Sequence, residues 1–334
     1  MSLLSTLDSA HSRYYNDQQM AHGDWIKSIA AKWAMEVESR LTYISLSIGP
    51  IPKKVELQWW SVDTVDGKFI LWPADDLQPE CWLIQLSLGL SPKSLALVNR
   101  VLAVKNAFSG DYYDERTFSD WDDDELCPGV FRMDPEGLLE ARCERVIIDI
   151  AHLALLHEVA HGVEGHKKLV HVDAAMGRAE EAFADLGAGW LFMHFILSEH
   201  KGPGKLAFEP ATGRLIDAAF FLTTLFHRVR SISNDYHLPN TRLHCFLWGA
   251  IAAGDGNEVQ ANNWLSKYFE ERTLNYAVTL LSSDHRNRYN FWTDSAMVEA
   301  DMDDFHRNTS RRIKTNREHL TLARTQRTGS TRQS

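Results

Sequence analysis

The chain has 334 residues, 44% of them hydrophobic and 24% charged, an ordinary composition for a globular protein of one large or two modest domains. Its formal net charge of −10 argues against a general nucleic-acid binder and is compatible with a soluble enzyme. Because no secretory signal is recognisable and no long apolar run lacks ionisable residues, the sequence predicts neither export nor a membrane span. The four cysteines form no C-x-x-C pair, so we expect reduced thiols in a cytoplasmic protein.

The first 130 residues predict a lobe of mixed α and β structure. Asp24 can cap a helix, and four segments of strand character follow it, separated by turns rich in Pro, Gly and Asp: 41–48, 55–62, 68–72 and 81–88. Asp66 and Gly67 form a dipeptide that is typical of a β-hairpin turn. The strands predict a mixed or antiparallel sheet, in which the tryptophans either pack in the core or line an aromatic pocket.

A helix over 95–108 leads into a strongly acidic segment, 111–125, which has eight acidic residues and one arginine. We expect a solvated loop there, since the run at 122–125 lacks the glycine and the alternating ligands of an EF-hand calcium loop. A flexible lid and a surface that selects basic substrates are the alternatives. Residues 127–129 (Cys-Pro-Gly) mark the boundary between a lobe over 1–130 and a helical lobe over 131–304.

The second lobe contains an apolar stretch, 146–166, that carries the pattern His-Glu-x-x-His at positions 157–161. In a helix, His157 and His161 lie one turn apart on the same face, where both imidazoles can bind a single metal ion. Glu158 is rotated away from them and can hold a water at that ion instead of ligating it. These polar groups are costly on a buried helix unless something satisfies them, and a zinc ion would do so. The alternative is a pair of core histidines with hydrogen-bond partners.

A second apolar helix is predicted from 180 to 193, with Glu181 and Asp185 four residues apart on one face. Glu181 follows His161 by 20 residues, and His-Glu-x-x-His with a later Glu-x-x-x-Asp resembles the gluzincins, the thermolysin-like zinc peptidases. The resemblance implies that Glu181 is the third zinc ligand and that Asp185 accepts a hydrogen bond from a ligand imidazole. Glu180 is the alternative in register, and a solvated first turn of the helix is the alternative without a metal.

The same resemblance implies a zincin-like α+β fold, in which an N-terminal mixed or antiparallel sheet packs on a largely helical C-terminal lobe. The sheet of such enzymes covers the active-site helix, and one edge strand pairs with an extended peptide substrate. A metzincin is excluded, because its third histidine comes six residues after the second, whereas His166 comes five residues after His161. Gly165 is expected to end the helix instead.

A third element of the resemblance lies at 235–242, where a histidine, a proline and an arginine follow the second helix. In several gluzincin groups, among them the bacterial phage-exclusion peptidases, the histidine supports the oxyanion and the arginine braces the site. Carried over to this chain, His237 would donate to a developing oxyanion, with Tyr236 as the other candidate, and Arg242 would brace the site. One extra residue separates the histidine from the proline here, and a simple helix start at Pro239 is the alternative.

Further helices are predicted over 214–231, 242–253 and 258–282, and the composition changes at residue 305. The segment 305–334 is basic and ends in Thr, Gly, Ser, Arg and Gln, which predicts a flexible tail, either disordered or loosely helical. Such a tail could contact nucleic acid, an acidic partner or the acidic segment at 111–125. A solvated tail is the simplest expectation.

Together these patterns predict a cytoplasmic, zinc-dependent metallopeptidase with one zinc ion per chain and a protein or peptide substrate of narrow range. Zinc would polarise a water and the scissile carbonyl, and Glu158 would take the proton of the water and pass it to the leaving amine. No membrane partner is expected, and nucleic acid only through the tail. Two other classes stay open: a zinc-binding sensor or interaction module with little turnover, and a metal hydrolase acting on another bond. Glu158 argues against the first, because a structural metal site needs no general base.

Overall fold

The computed structural model describes residues 35, 54–60, 67–72, 81–87, 90, 94, 97–98, 101, 138–163, 174–199, 204–230, 236–253, 292 and 294–310. Several predicted features lie outside these residues: Asp24, the strand at 41–48, the acidic segment at 111–125, the lobe boundary near 130, His166 and the helix at 258–282. The described part is mostly helical and carries one small mixed sheet.

Three strands form the sheet: β1 (Lys54–Trp60), β2 (Gly67–Trp72) and β3 (Cys81–Ser87). The strand β3 lies in the centre, parallel to β1 and antiparallel to β2. The central position suits β3, because every residue in it is buried and its sequence is an almost continuous apolar run. Three of the four predicted strands are therefore confirmed, with ends that differ by at most two residues.

The hairpin predicted at Asp66 and Gly67 is wrong. Because β3 lies between β1 and β2, these two strands are not neighbours, and Gly67 is the first residue of β2, paired with Leu86. Pairing β1 with β2 would leave β3 at an edge of the three strands. Since β3 is the most apolar of them, the sheet buries more apolar surface with β3 in the middle.

After some helical residues between 90 and 101, five longer helices follow in the described part of the chain. They are α1 (Leu138–Val163), α2 (Ala174–Glu199), α3 (Gly204–Arg230), α4 (Pro239–Ala253) and α5, which covers residues 295–310. The first four begin earlier than the sequence predicted, because the apolar periodicity marks the packed turns and not the polar turns that precede them. As a result, Glu180 and Glu181 lie in the second turn of α2, and the alternative of a solvated first turn is wrong.

The helix α1 runs through the centre of the packed structure. Between Val146 and His161 every residue except Ile148 is buried, as the sequence predicted for this stretch. On one side α1 contacts β2 and β3, and it also contacts α2 and α3. The helix α1 therefore joins the sheet to the helical part. Its segment Ala141–Val163 is long and apolar enough to cross a membrane, but 83% of the most apolar window is buried inside the protein, as in a core helix, so this is weak evidence for a span.

Glycines bring two pairs of helices into close contact. A Cβ atom on Gly189 of α2 would overlap the carbonyl oxygen of Phe246, and one on Gly249 of α4 would overlap the carbonyl oxygen of Leu186. The backbones of α2 and α4 therefore touch. The second pair of helices is α1 and α2: a Cβ atom on Gly187 of α2 would lie 3.0 Å from the Cβ atom of Ala160 of α1. These contacts fix α2 against both α1 and α4. Together, α1, α2 and α4 carry most of the residues of the candidate site.

Residues 305–310 continue α5, so the first part of the basic segment 305–334 is helical, one of the two structures expected for it. Phe305 is only 7% exposed, and its ring lies 5.4 Å from that of Trp248. In the turn before it, Asp304 accepts a hydrogen bond from Nε of Arg178 at 3.0 Å. One buried aromatic side chain holds this turn, although the average composition beyond 305 is polar and basic. Residues 311–334 lie outside the described part of the chain.

The cysteines and the tryptophans of the sheet agree with the sequence expectations where they are described. Among the described residues, Cys81, Cys143 and Cys245 are buried and form no disulfide. Trp82 belongs to the main hydrophobic core, together with Ile84 of the same strand. The reading of Trp82 as a core residue is therefore confirmed.

Candidate metal centre

The helix α1 places His157 and His161 one turn apart, with their rings facing the same point. The ring centroids are 4.8 Å apart at an interplanar angle of 87°, and the two Nε2 atoms are 3.3 Å apart. Both residues are buried, with 3% and 8% of their surface exposed. The helical spacing that the sequence predicted thus brings two nitrogen donors together.

Glu181 of α2 completes a group of three donors. Its Oε2 atom lies 3.1 Å from Nε2 of His157 and 3.5 Å from Nε2 of His161. Its side chain is 21% exposed, more than either imidazole, so the group is reached most easily from the side of Glu181. Glu181, and not the neighbouring Glu180, therefore joins the histidines, and these three residues could hold a metal ion.

The spacing of the three donor atoms fits a small tetrahedral ion. With bonds of about 2.0 to 2.1 Å, such an ion places its ligand atoms about 3.3 to 3.4 Å apart. The three measured distances, 3.1, 3.3 and 3.5 Å, bracket this value. Two imidazoles and one carboxylate are also a usual protein ligand set of catalytic zinc sites, which keep the fourth position for water or substrate.

The charges of the site favour a cation between the three donors. Burial by itself lowers the pKa of His157, but the carboxylates of Asp185 and Glu181 outweigh it and raise that pKa to about 10. Burial raises the pKa of Glu181, yet His161 and His157 bring it well below its usual value. The carboxylates thus stabilise positive charge where the donors meet, whether a proton or a metal ion carries it.

Asp185 supports His157 from behind. Its Oδ1 atom lies 2.8 Å from Nδ1 of His157, within the distance of an ion pair. The same carboxylate accepts two hydrogen bonds from Arg242, Nε to Oδ2 at 2.7 Å and a terminal nitrogen to Oδ1 at 2.8 Å. Although burial raises the pKa of Asp185, Arg242 and then His157 lower it below its ordinary value. An ionised Asp185 favours the proton on Nδ1 of His157, which leaves Nε2 available to a metal.

Arg242 is itself held between two aromatic rings. Its guanidinium carbon lies 5.3 Å from the ring centre of Phe226 on α3 and 5.0 Å from that of Tyr236. Burial lowers the pKa of Arg242, but Asp185 and Glu181 more than compensate and raise it. The sequence-predicted bracing residue is therefore a buried cation that joins α2, α3 and α4 behind the donors, and Tyr236 reaches the site through it.

His237 lies just before α4 and pairs with an aspartate that the sequence did not single out. Its Nδ1 atom is 3.1 Å from Oδ1 of Asp301 on α5, and the backbone N–H of Leu238 donates to Oδ2 of Asp301 at 2.8 Å. Burial raises the pKa of Asp301, but His237 and Thr241 lower it below the ordinary value. Nε2 of His237 is buried and has no hydrogen-bond partner among the described residues. Asp301 therefore orients the ring and leaves Nε2 for another group.

Glu158 follows His157 on α1 and faces the sheet. It is 6% exposed, and a Cβ atom built on Gly67 of β2 would lie 2.5 Å from its Oε1 atom and 3.1 Å from its Cδ atom. The start of β2 thus covers the carboxylate that the sequence assigned to the general base. Glu158 is not among the three donor residues.

Direct contacts join most of the predicted site residues. Two further residues contact the others: Asp301 pairs with His237, and Gly67 lies against Glu158. Direct contacts link His157, His161, Glu181, Asp185 and Arg242, and Tyr236 packs on the last of these. Asp301 was missed because it lies in an acidic run, 299–304, with no local feature that distinguishes it from solvated residues. Gly67 was missed because a glycine after an aspartate indicates a turn. Pro239 does begin α4, so the helix-start reading of that proline is confirmed and is compatible with the pairing of His237.

Comparison of the chain with protein-family models, with curated proteins and with solved structures finds no match. The geometry of the described residues therefore carries the functional interpretation.

Proposed function

We propose that this protein is a zinc-dependent metallopeptidase of gluzincin type and zincin-like fold, which hydrolyses a peptide bond in a protein or peptide substrate of narrow range. The observation that carries the proposal is the convergence of Nε2 of His157, Nε2 of His161 and Oε2 of Glu181, with spacings suited to a tetrahedral ion. A carboxylate that is not one of these donors, Glu158, stands next to His157 on the same helix. A structural metal site has no use for such a residue, whereas a hydrolase does.

Each residue of the centre has a separate role in the proposed metal-assisted hydrolysis. His157, His161 and Glu181 would hold one zinc ion per chain. When bound, zinc supplies a Lewis acid that polarises a water and a substrate carbonyl. Glu158 accepts the proton of the attacking water and delivers it to the departing amine, so that one carboxylate serves as base and then as acid.

The surrounding residues keep these groups in position. Asp185, held ionised by Arg242, orients the ring of His157. His237 is the better supported donor to the oxyanion: with a proton on both ring nitrogens, its Nδ1–H donates to Asp301 and its buried Nε2–H, which has no partner among the described residues, can donate to the oxyanion. Tyr236, the other candidate, has its ring committed to the face of Arg242.

The proposal includes a cytoplasmic location and a kinship with the phage-exclusion peptidases. Both rest on the sequence patterns alone: the scattered cysteines for the location, and the His-Glu-x-x-His, Glu-x-x-x-Asp and His/Pro/Arg elements for the kinship. A partly covered centre, in which Glu181 is the most exposed donor, supports a narrow substrate range over general digestion.

The decisive experiment is metal analysis of the purified protein beside three isosteric variants: Glu181→Gln, Glu180→Gln and Glu158→Gln. We expect about one zinc per chain in the wild type and in Glu158→Gln, and a large loss in Glu181→Gln, since an amide is a poor zinc ligand. Glu180→Gln is the matched control, because the two glutamates are adjacent on the same helix and only Glu181 reaches the histidines. Equal metal loss in both glutamine variants would contradict the assignment of Glu181.

Activity is measured on the same proteins with a proteome extract as substrate, by counting new N-termini in a mass spectrometer. Cleavage by the wild type and a loss of about 100-fold or more in Glu158→Gln, with metal retained, would support the proposed base. Zinc without cleavage of any substrate would instead favour the zinc-binding sensor or interaction module. Absence of metal from protein never exposed to chelator, even after addition of zinc, would refute the proposal as a whole.

A further inference from the structure

We infer that Gly67 is a positioning residue for Glu158: the missing side chain at the start of β2 leaves the space that the carboxylate of the proposed base occupies. This inference rests on the proposed function for its catalytic meaning, although its geometric content stands without it. It assigns a role in the reaction to the sheet, which carries none of the residues that the sequence predicted for the site.

The spatial relation is specific to the Glu158 side chain. A methyl group at position 67 would lie 2.5 Å from Oε1, 3.1 Å from Cδ and 3.2 Å from Cγ of Glu158. All three nearest atoms therefore belong to one side chain, and the closest of them is its functional end. At 2.5 Å a carbon atom and an oxygen atom overlap sterically, so an added methyl group must displace one of its neighbours.

The backbone does not require a glycine at this position. Its φ angle lies outside the left-handed region, so an alanine could adopt the same conformation. Glycine also weakens a strand, since it has no side chain to pack and loses more conformational freedom on folding. What the position demands is space, and the group that uses this space is the carboxylate of Glu158.

The strand cannot easily move away from α1 to make room. Gly67 pairs with Leu86 of β3, which is fully buried in the core that β3 shares with α1. A shift of β2 would therefore disturb the ladder and the packed side of the sheet. The flexible end of Glu158 gives way more cheaply, so alanine at 67 should redirect the carboxylate and leave the fold intact.

The test combines Gly67→Ala with Glu158→Asp, whose side chain is shorter by one methylene, in a double-mutant cycle on the full-length, zinc-loaded protein. We expect Gly67→Ala to keep its zinc and to unfold within about 2 to 4 °C of the wild type, while kcat falls about 100-fold at unchanged KM. Gly177→Ala, whose added Cβ has no neighbour within 4 Å, is the control glycine and should keep full activity.

Two readouts separate this inference from the proposed function. A crystal structure of Gly67→Ala should show the Glu158 carboxylate turned away from its wild-type position, whether or not any substrate is known. In thermal unfolding, Gly67→Ala should cost less in the Glu158→Asp background than in the wild type, because the shorter side chain no longer fills the space. These results would support the contact even if the protein proves to be no peptidase.

The opposite results would overturn it. An unmoved carboxylate in the alanine variant, or equal effects of Gly67→Ala on unfolding in both backgrounds, means that the methyl group meets something other than Glu158. If Gly67→Ala fails to fold, folding of the double variant supports the contact, and failure of both variants refutes it. Full peptidase activity of Gly67→Ala would remove its positioning role.

Discussion

At the scale of single residues, the centre depends on Asp185. This side chain is fully buried, accepts two hydrogen bonds from Arg242 and lies 2.8 Å from Nδ1 of His157. A buried charge is stable only when it is paired and hydrogen-bonded, and here each partner needs the other. Asp185 thus links the orientation of a proposed zinc ligand to the neutralisation of a buried arginine.

We expect Asp185→Asn to lower both the stability of the fold and the affinity for zinc. Removal of the carboxylate leaves Arg242 buried without its counter-charge, which costs about 3 to 5 kcal/mol in the free energy of unfolding. It also releases the ring of His157, which should reduce zinc affinity about 10- to 100-fold. Denaturant unfolding and a competitive titration against a chromogenic chelator measure the two effects.

Asp304→Asn is the matched control for this change. Asp304 also pairs with an arginine, Arg178, but both side chains are partly exposed. Such a pair contributes about 1 kcal/mol or less. Equal losses of stability or of zinc affinity in the two asparagine variants would show that Asp185 has no special role.

At the scale of elements, the site depends on how closely α2 and α4 approach. Asp185 and Arg242 stand on these two helices, and Gly189 and Gly249 let the backbones touch nearby. With larger residues at these positions the helices would separate, and the two hydrogen bonds of 2.7 and 2.8 Å could not both form. Glycine is needed here for close approach rather than for its backbone freedom.

We expect Gly249→Ala to destabilise the protein by about 1 to 3 kcal/mol, because the added methyl group overlaps the backbone of α2, which cannot rotate aside. Thermal and denaturant unfolding measure the loss. Gly177→Ala in α2 is the control, since its methyl group meets nothing and alanine favours a helix by about 1 kcal/mol over glycine. A neutral or stabilising Gly249→Ala would mean that the two helices are further apart than described here.

At the scale of the whole molecule, the donors come from two helices that the site ties together. His157 and His161 lie on α1 and Glu181 on α2, while Asp185 continues the chain of contacts to Arg242 on α4. An ion bound by the folded state alone would therefore stabilise the packing of the described helices, by about 2.7 kcal/mol at a free concentration 100 times its Kd.

We expect removal of the metal by a chelator to lower the midpoint of thermal unfolding of the wild type by about 5 °C, and addition of zinc to restore it. Magnesium should not replace zinc, because it prefers oxygen ligands in octahedral geometry. Glu181→Gln should respond weakly to either treatment. If the wild type melts at the same temperature with chelator and with zinc, the three donors do not form a metal site that contributes to the fold.

The predictions from sequence succeeded where all the residues concerned lie in a single helix or strand. The helical period alone places His157 and His161 together, and the apolar run predicts the burial of α1. Glu181 was identified through the resemblance of the Glu-x-x-x-Asp pattern, since no local rule says which distant helix meets α1. Asp301 and Gly67 could not be found, because their roles arise from contacts with residues 64 and 91 positions away in the chain.

What the sequence determined by itself is therefore local: the burial of α1, the two converging histidines, three strands and the composition of a globular protein. These follow from periodicity and side-chain chemistry within a few turns or strand residues. Only the tertiary structure decided the order β1-β3-β2, the contact of α2 with α4, the partners of Arg242 and His237, and the cover that Gly67 places over Glu158. Such contacts depend on which surfaces bury the most apolar area and satisfy the buried charges together, a property of the packed chain and not of any segment.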